Sequence, residues 1–114
     1  MGYYSQAALC VKKKDFEELK ERLKKYEYMF DDGFCEISTF YNDEVVVCNW
    51  ESIKWYPIYE EISIIEDFII ELQNEDKDYS FARVGEEYDD VEYKSNYVTG
   101  DCDMIHPYQG IDIG

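Results

Sequence analysis

The sequence predicts an α+β fold of the ferredoxin-like type, β-α-β-β-α-β, with two helices on one face of an antiparallel sheet and an extra C-terminal strand. Three observations predict it. The period of the apolar residues switches between strand-like and helix-like in the order strand, helix, strand, strand, helix, strand, strand. Each helical stretch carries one apolar face, as a helix lying on a sheet requires. A strand-helix-strand unit occurring twice, with right-handed crossovers, leads to this topology.

Tyr3 to Val11 sets Tyr3, Ser5, Ala7, Leu9 and Val11 against Tyr4, Gln6, Ala8 and Cys10, and neither set is charged, which predicts a central strand. Lys12 to Lys14 end it. Asp15 is a good N-cap type with Glu18 three residues on, so a helix is expected from there to about Tyr28, with Phe16, Leu19, Leu23 and Tyr26 as its apolar face. Asp31, Asp32 and Gly33 follow it. Phe34 to Tyr41 alternates again, Asn42 and Asp43 suit a two-residue turn, and Glu44 to Trp50 returns as a strand built around Val45, Val46, Val47 and Cys48. Its pattern runs on toward Tyr56, and Pro57 stops it. From Glu60 to Asn74, Ile62, Ile65, Ile69 and Leu72 line one helical face, which Ile64, Phe68 and Ile70 widen. Tyr79 to Val84 is a further strand, Gly85 begins an acidic turn, and Val91 to Tyr97 pairs back as the last strand. The remainder, from about residue 98, reads as an irregular tail, and the chain as one domain, residues 1–114.

Charge is the second strong signal. The 27 acids against 11 Lys and Arg give a net charge of −16, yet 46% hydrophobic and 18% aromatic residues supply enough apolar surface for a folded core. Residues 60 to 114 hold 16 acids and 3 bases, so the second half is the acidic half, and few cations neutralise its clusters. An excess of this size excludes general binding to a nucleic-acid backbone, which recruits Lys and Arg, and favours a basic partner. No stretch has the length of a membrane span and the N-terminus lacks the pattern of a signal peptide, so an intracellular protein without a membrane partner is expected.

Residue patterns for chemistry are sparse. Cys10, Cys35, Cys48 and Cys102 make no CxxC pair or zinc-ribbon spacing; the strand cysteines read as small core thiols and Cys102 as incidental. Asp101 and Asp103 resemble the start of a calcium loop, but His106 and Asp112 stand where its glycine and closing glutamate belong. There is no glycine-rich phosphate loop and no nucleophile elbow. No catalytic residue, metal site or cofactor is therefore expected, and the protein is not read as an enzyme.

What remains is a surface on which acids interleave with tyrosines, a side chain suited to interfaces because it buries area and keeps a polar tip. The candidate partner-binding residues are Glu86, Glu87, Tyr88, Asp89, Asp90, Glu92 and Tyr93, with Glu66, Asp67, Glu71, Glu75, Asp76 and Asp78 extending the patch. Carboxylates about 5 Å apart on neighbouring strands and helix turns approach the charge density of a nucleic acid.

The segments Trp50-Glu51-Ser52-Ile53-Lys54-Trp55-Tyr56 and Phe81-Ala82-Arg83-Val84-Gly85-Glu86-Glu87-Tyr88-Asp89-Asp90-Val91-Glu92 resemble those of small acidic proteins encoded by bacteriophages and mobile elements, the population that includes the anti-CRISPR and other anti-defence inhibitors. The resemblance implies an inhibitor of a host nucleic-acid-binding defence complex, acting by an acidic, nucleic-acid-mimicking surface in the cytoplasm of an infected bacterium. It transfers no functional residues, because those inhibitors share no common motif. Two alternatives stand beside it: an immunity protein or antitoxin for a basic nuclease, and a ferredoxin-like module that holds a small molecule. Monomer and homodimer are both compatible with the sequence.

Overall fold

The uncharged first strand is the axis of the sheet. The computed structural model describes residues 4–30, 35–40, 43–87, 90–96, 102, 105–107 and 111–113, the backbone alone at 30, 35–40, 43, 105–107 and 111–113. Strand β1 (Ser5–Lys12) leads into helix α1 (Lys13–Arg22) and a 3-10 segment, Lys24–Phe30. Strands β2 (Cys35–Phe40) and β3 (Asp43–Ile53) follow, then helix α2 (Glu60–Asn74) and strands β4 (Tyr79–Val84) and β5 (Val91–Asn96). The sheet runs β2-β3-β1-β4-β5 with every neighbouring pair antiparallel. Its first four strands have the ferredoxin-like order, and β5 extends that sheet as a hairpin partner of β4.

Alternation along β1 sends its side chains to two different cores. Ala7, Leu9 and Val11 face α1 and α2, where they pack with Phe16, Leu19, Ile65, Phe68 and others in one fully buried cluster. Each large aliphatic or aromatic side chain removed from water there contributes about 2 kcal/mol, and cutting one such as Ile65 to alanine costs about 2–5 kcal/mol. Ala8 and Cys10 face the other way and pack with Val45, Val47, Ala82 and Cys102. Both helices thus lie on one face, as expected.

The second face corrects the reading of the tail. Residues 105–107 and 111–113 form an antiparallel pair of short strands, β6 (Ile105–Pro107) and β7 (Ile111–Ile113), which lie against β1 and β4. A sheet face made of Ala8, Cys10, Val45, Val47 and Ala82 is too apolar to remain bare, and the tail covers it.

Helix α1 also departs from expectation at both ends. It starts at Lys13 with Lys12 in the N-cap position, and Asp15 sits in the first turn, where a negative charge suits the helix dipole. Asp15 is buried, with Oδ1 3.6 Å from Lys77 Nζ and Oδ2 without a hydrogen-bond partner. The α-helix stops at Arg22 because the chain is recruited elsewhere: Tyr26 takes a non-helical conformation (φ −125°, ψ 47°), and the buried Trp50 indole donates to the Met29 carbonyl at 2.8 Å. The hydroxyls of Tyr26 and Tyr28 then donate to Glu60 and Glu61 at the start of α2.

Helix α2 has the expected bounds, but Ile70 is 52% exposed and does not widen its apolar face. The helix ends in a Schellman turn, Lys77 N–H to Leu72 C=O at 3.0 Å, with Asp76 in the left-handed region at φ 55°. Phe40 pairs with Asp43, so the β2–β3 connection is residues 41 and 42, one residue earlier than expected, and lies outside the described residues. Among the described residues, no helix is long and apolar enough to cross a membrane.

The cysteines differ from the sequence reading too. Cys48 is disulfide-bonded, and its register partner across β2 and β3 is Cys35. Spacing along the chain carries no sign of this, because sheet pairing creates the proximity. Cys102 is fully buried in the second-face core and is not incidental.

Candidate functional site

Arg83 organises the acidic side of the molecule. It stands near the end of β4, opposite Glu92 on β5. Its guanidinium donates to both Asp90 oxygens, from Nη2 to Oδ1 at 2.8 Å and from Nη1 to Oδ2 at 3.2 Å, and from Nε to Glu92 Oε1 at 3.3 Å. Nη1 also reaches the Ser5 hydroxyl at 3.2 Å. These hydrogen bonds, that to Asp90 foremost, hold the guanidinium pKa above its ordinary value despite partial burial.

The chain of contacts continues. Glu92 Oε2 lies 3.1 Å from Lys94 Nζ, which lies 3.5 Å from Glu66 Oε2, and Glu66 Oε1 accepts the Trp55 indole N–H at 2.7 Å. Burial works against the charged Lys94, but Glu92 and Glu66 outweigh it and raise its pKa. Trp55 is held by ring contacts with Phe81 (5.4 Å) and Trp50 (5.7 Å). One polar network thus ties β4, β5, α2 and the β3–α2 connection together, each member satisfying the next.

Beside this network lies an open cleft of about 540 Å3, a size within the range of ligand sites. Trp55, Tyr56 and Pro57 form one wall, and Ser63, Glu66 and Asp67 of α2 another. Arg83, Asp90, Glu92 and Ser5 close the sheet end. The four carboxylates outnumber the two cations paired with them, Arg83 and Lys94, so the cleft repels anions such as phosphate and attracts cations.

The structure brings together four of the residues singled out from the sequence, Glu66, Asp67, Asp90 and Glu92, and disperses the others. Glu86 and Glu87 are exposed at the rim of the β4–β5 hairpin, where Glu86 accepts the Tyr4 backbone N–H at 3.0 Å. Tyr93, 40% exposed, lines a separate groove of about 450 Å3 with Ile70 and Lys94. Glu71 is taken by a bidentate pair with Arg22 of α1 (2.6 and 2.8 Å), which lowers its pKa, and Glu75 pairs with Lys77 at 3.1 Å. Asp76 is exposed. Asp78 is only 3% exposed, so burial withdraws it from a binding surface. Tyr88 and Asp89 lie outside the described residues.

Sequence reasoning missed Arg83, Lys94, Trp55 and Ser63 as parts of one site. The available signal was the isolation of the cations: Lys77, Arg83 and Lys94 are the only bases among residues 60 to 114, and each is engaged by acids of the chain itself. No protein-family model matches the chain, and no curated protein or solved structure does so either.

Proposed function

We propose that this chain is a binding protein that turns its acidic side toward a basic nucleic-acid-binding protein and competes with the nucleic acid for it, as an anti-CRISPR or other anti-defence inhibitor would. One observation carries this reading: all three cations of the acidic half lie in internal ion pairs, so the exposed carboxylates Asp67, Asp76, Glu86 and Glu87 project a field that few cations of the chain offset. Such a field speeds encounter with a basic surface and rejects acidic ones. In the cleft, a lysine or arginine side chain of the partner meets Asp67 together with the Tyr56 ring, a carboxylate and an aromatic face that both favour a cation. An immunity protein for a basic nuclease would use the same surface on a smaller target.

The test is capture of bacterial proteins on the tagged chain, followed by binding of each purified captured protein at 50 and 500 mM salt with and without duplex DNA. A CRISPR effector or other basic nucleic-acid-binding protein is expected, displaced by DNA, with affinity falling about tenfold or more at the higher salt. Charge reversal at Asp67, Glu86 and Glu87 to Lys abolishes the interaction. Binding that ignores salt and survives the reversal overturns the reading. The cleft's convergent polar groups favour a second reading, a small organic cation as ligand. Quenching of tryptophan fluorescence by spermidine at micromolar concentration, lost in Asp67→Asn, would select it over the first.

A further inference from the structure

The second face of the sheet, remote from the acidic cleft, holds two free thiols. Cys10 and Cys102 are unbridged, both are 0% exposed, and both belong to the same small apolar cluster. Their proximity follows from the strand register. Cys10 stands opposite Ser80 in the β1–β4 ladder, and the Ser80 hydroxyl donates to the Cys102 carbonyl. Side chains directly opposite in such a ladder have Cβ atoms about 5 Å apart, so the backbone at residue 102 is held over the Cys10 position. The two thiols pack into one buried cluster with Ala8, Val45, Val47 and Ala82.

We infer that Cys10 and Cys102 are a modification site: a small disulfide such as oxidised glutathione converts them to an intramolecular disulfide that fastens the tail to the central strand. The chemistry balances in two exchanges. One thiolate attacks a sulfur of the small disulfide, forming a mixed disulfide and releasing one small thiol. The second protein thiolate then attacks the protein sulfur of that mixed disulfide, the Cys10–Cys102 bond forms, and the second small thiol leaves. Two electrons and two protons pass from the protein thiols to the oxidant. The hydrogen bond with Cys10 and burial both push the Cys102 thiol pKa up, so it is protonated at neutral pH, and full burial bars the oxidant. Reaction therefore proceeds through opening of the tail and is slow. Cys48, already bridged, faces the helices across the sheet, so exchange with it is sterically separated.

The whole chain, with its Cys48 bridge intact, is incubated with oxidised glutathione at pH 8, alkylated and mapped by mass spectrometry without reduction. The expected result is a peptide pair linked through Cys10 and Cys102, and a melting temperature higher by roughly 10 °C or more, because the closed loop spans most of the chain. Cys102→Ser shows neither. A stable glutathione adduct without the link, a link to Cys35 or Cys48, or two thiols still free after prolonged oxidation overturns the inference. These outcomes are read on the wild-type chain alone, so a failure of the variant to fold leaves the test intact.

Discussion

Replacing Arg83 by alanine removes three hydrogen bonds to carboxylates, those to Asp90 at 2.8 and 3.2 Å and to Glu92 at 3.3 Å. At about 1.5 kcal/mol for each charge-assisted bond the sum is roughly 4–5 kcal/mol. Two features reduce it. Glu92 keeps Lys94 as a partner, and the Asp90 and Glu92 side chains are 31% and 33% exposed, so solvent screens part of each interaction. The net expectation is about 2 kcal/mol, or a melting temperature lower by roughly 8 °C. Urea denaturation followed by tryptophan fluorescence measures it, since Trp55 belongs to the same network. A cycle with Asp90→Asn isolates the pair and should return a coupling of about 1 kcal/mol. A loss below about 0.5 kcal/mol, or a coupling of zero, would show that the pair is an exposed contact of no consequence and that the cleft does not depend on Arg83. Because the variant also makes the cleft more negative, its affinity for a basic partner should not fall with its stability.

Two further outcomes are expected. Glu71 has a lowered pKa in the folded chain through its hydrogen bonds to Arg22, against an ordinary value of 4.5. The unfolded state therefore takes up the proton first, and the stability advantage of wild type over Glu71→Gln is present above pH 4.5 and closes as pH falls through the folded-state value, which urea denaturation between pH 7 and pH 3 will follow. Trp50→Phe leaves the Met29 carbonyl without its buried donor, at a cost of about 1–3 kcal/mol, and loosens the 3-10 segment, which amide exchange at residues 24–30 will register.

The elements legible in the sequence are those whose partners are local. Helix α2 and strand β4 have the bounds their apolar spacing predicts, because Ile62, Ile65, Ile69 and Leu72 announce a helical face without reference to anything else. The end of α1 was not legible, since it is set by Trp50 claiming the Met29 carbonyl from a distant strand. The tail hairpin was half legible: a first strand uncharged on both sides already demands cover on two faces, but nothing in Ile105–Pro107 or Ile111–Ile113 says which segment supplies it. At the candidate site the acids were visible and their fates were not. Whether a carboxylate is exposed like Asp67, paired like Asp90 or buried like Asp78 depends on which cation or core the fold brings to it.

The position of β1 bears on how the chain reaches its native state. The strand made first is the one flanked on both sides by strands made later: Leu9 pairs with Cys48 on β3 and with Phe81 on β4. Nascent chain up to residue 80 or so therefore carries an apolar strand with an unfilled edge, and every sheet contact that fills it closes a long loop. Such non-local pairing slows folding and prolongs the time in which sticky edges are available to other chains. The acids that precede the fourth strand, Glu60, Glu61, Glu66, Asp67, Glu71 and Glu75 among them, give even these incomplete chains a negative charge that keeps them apart while that strand arrives.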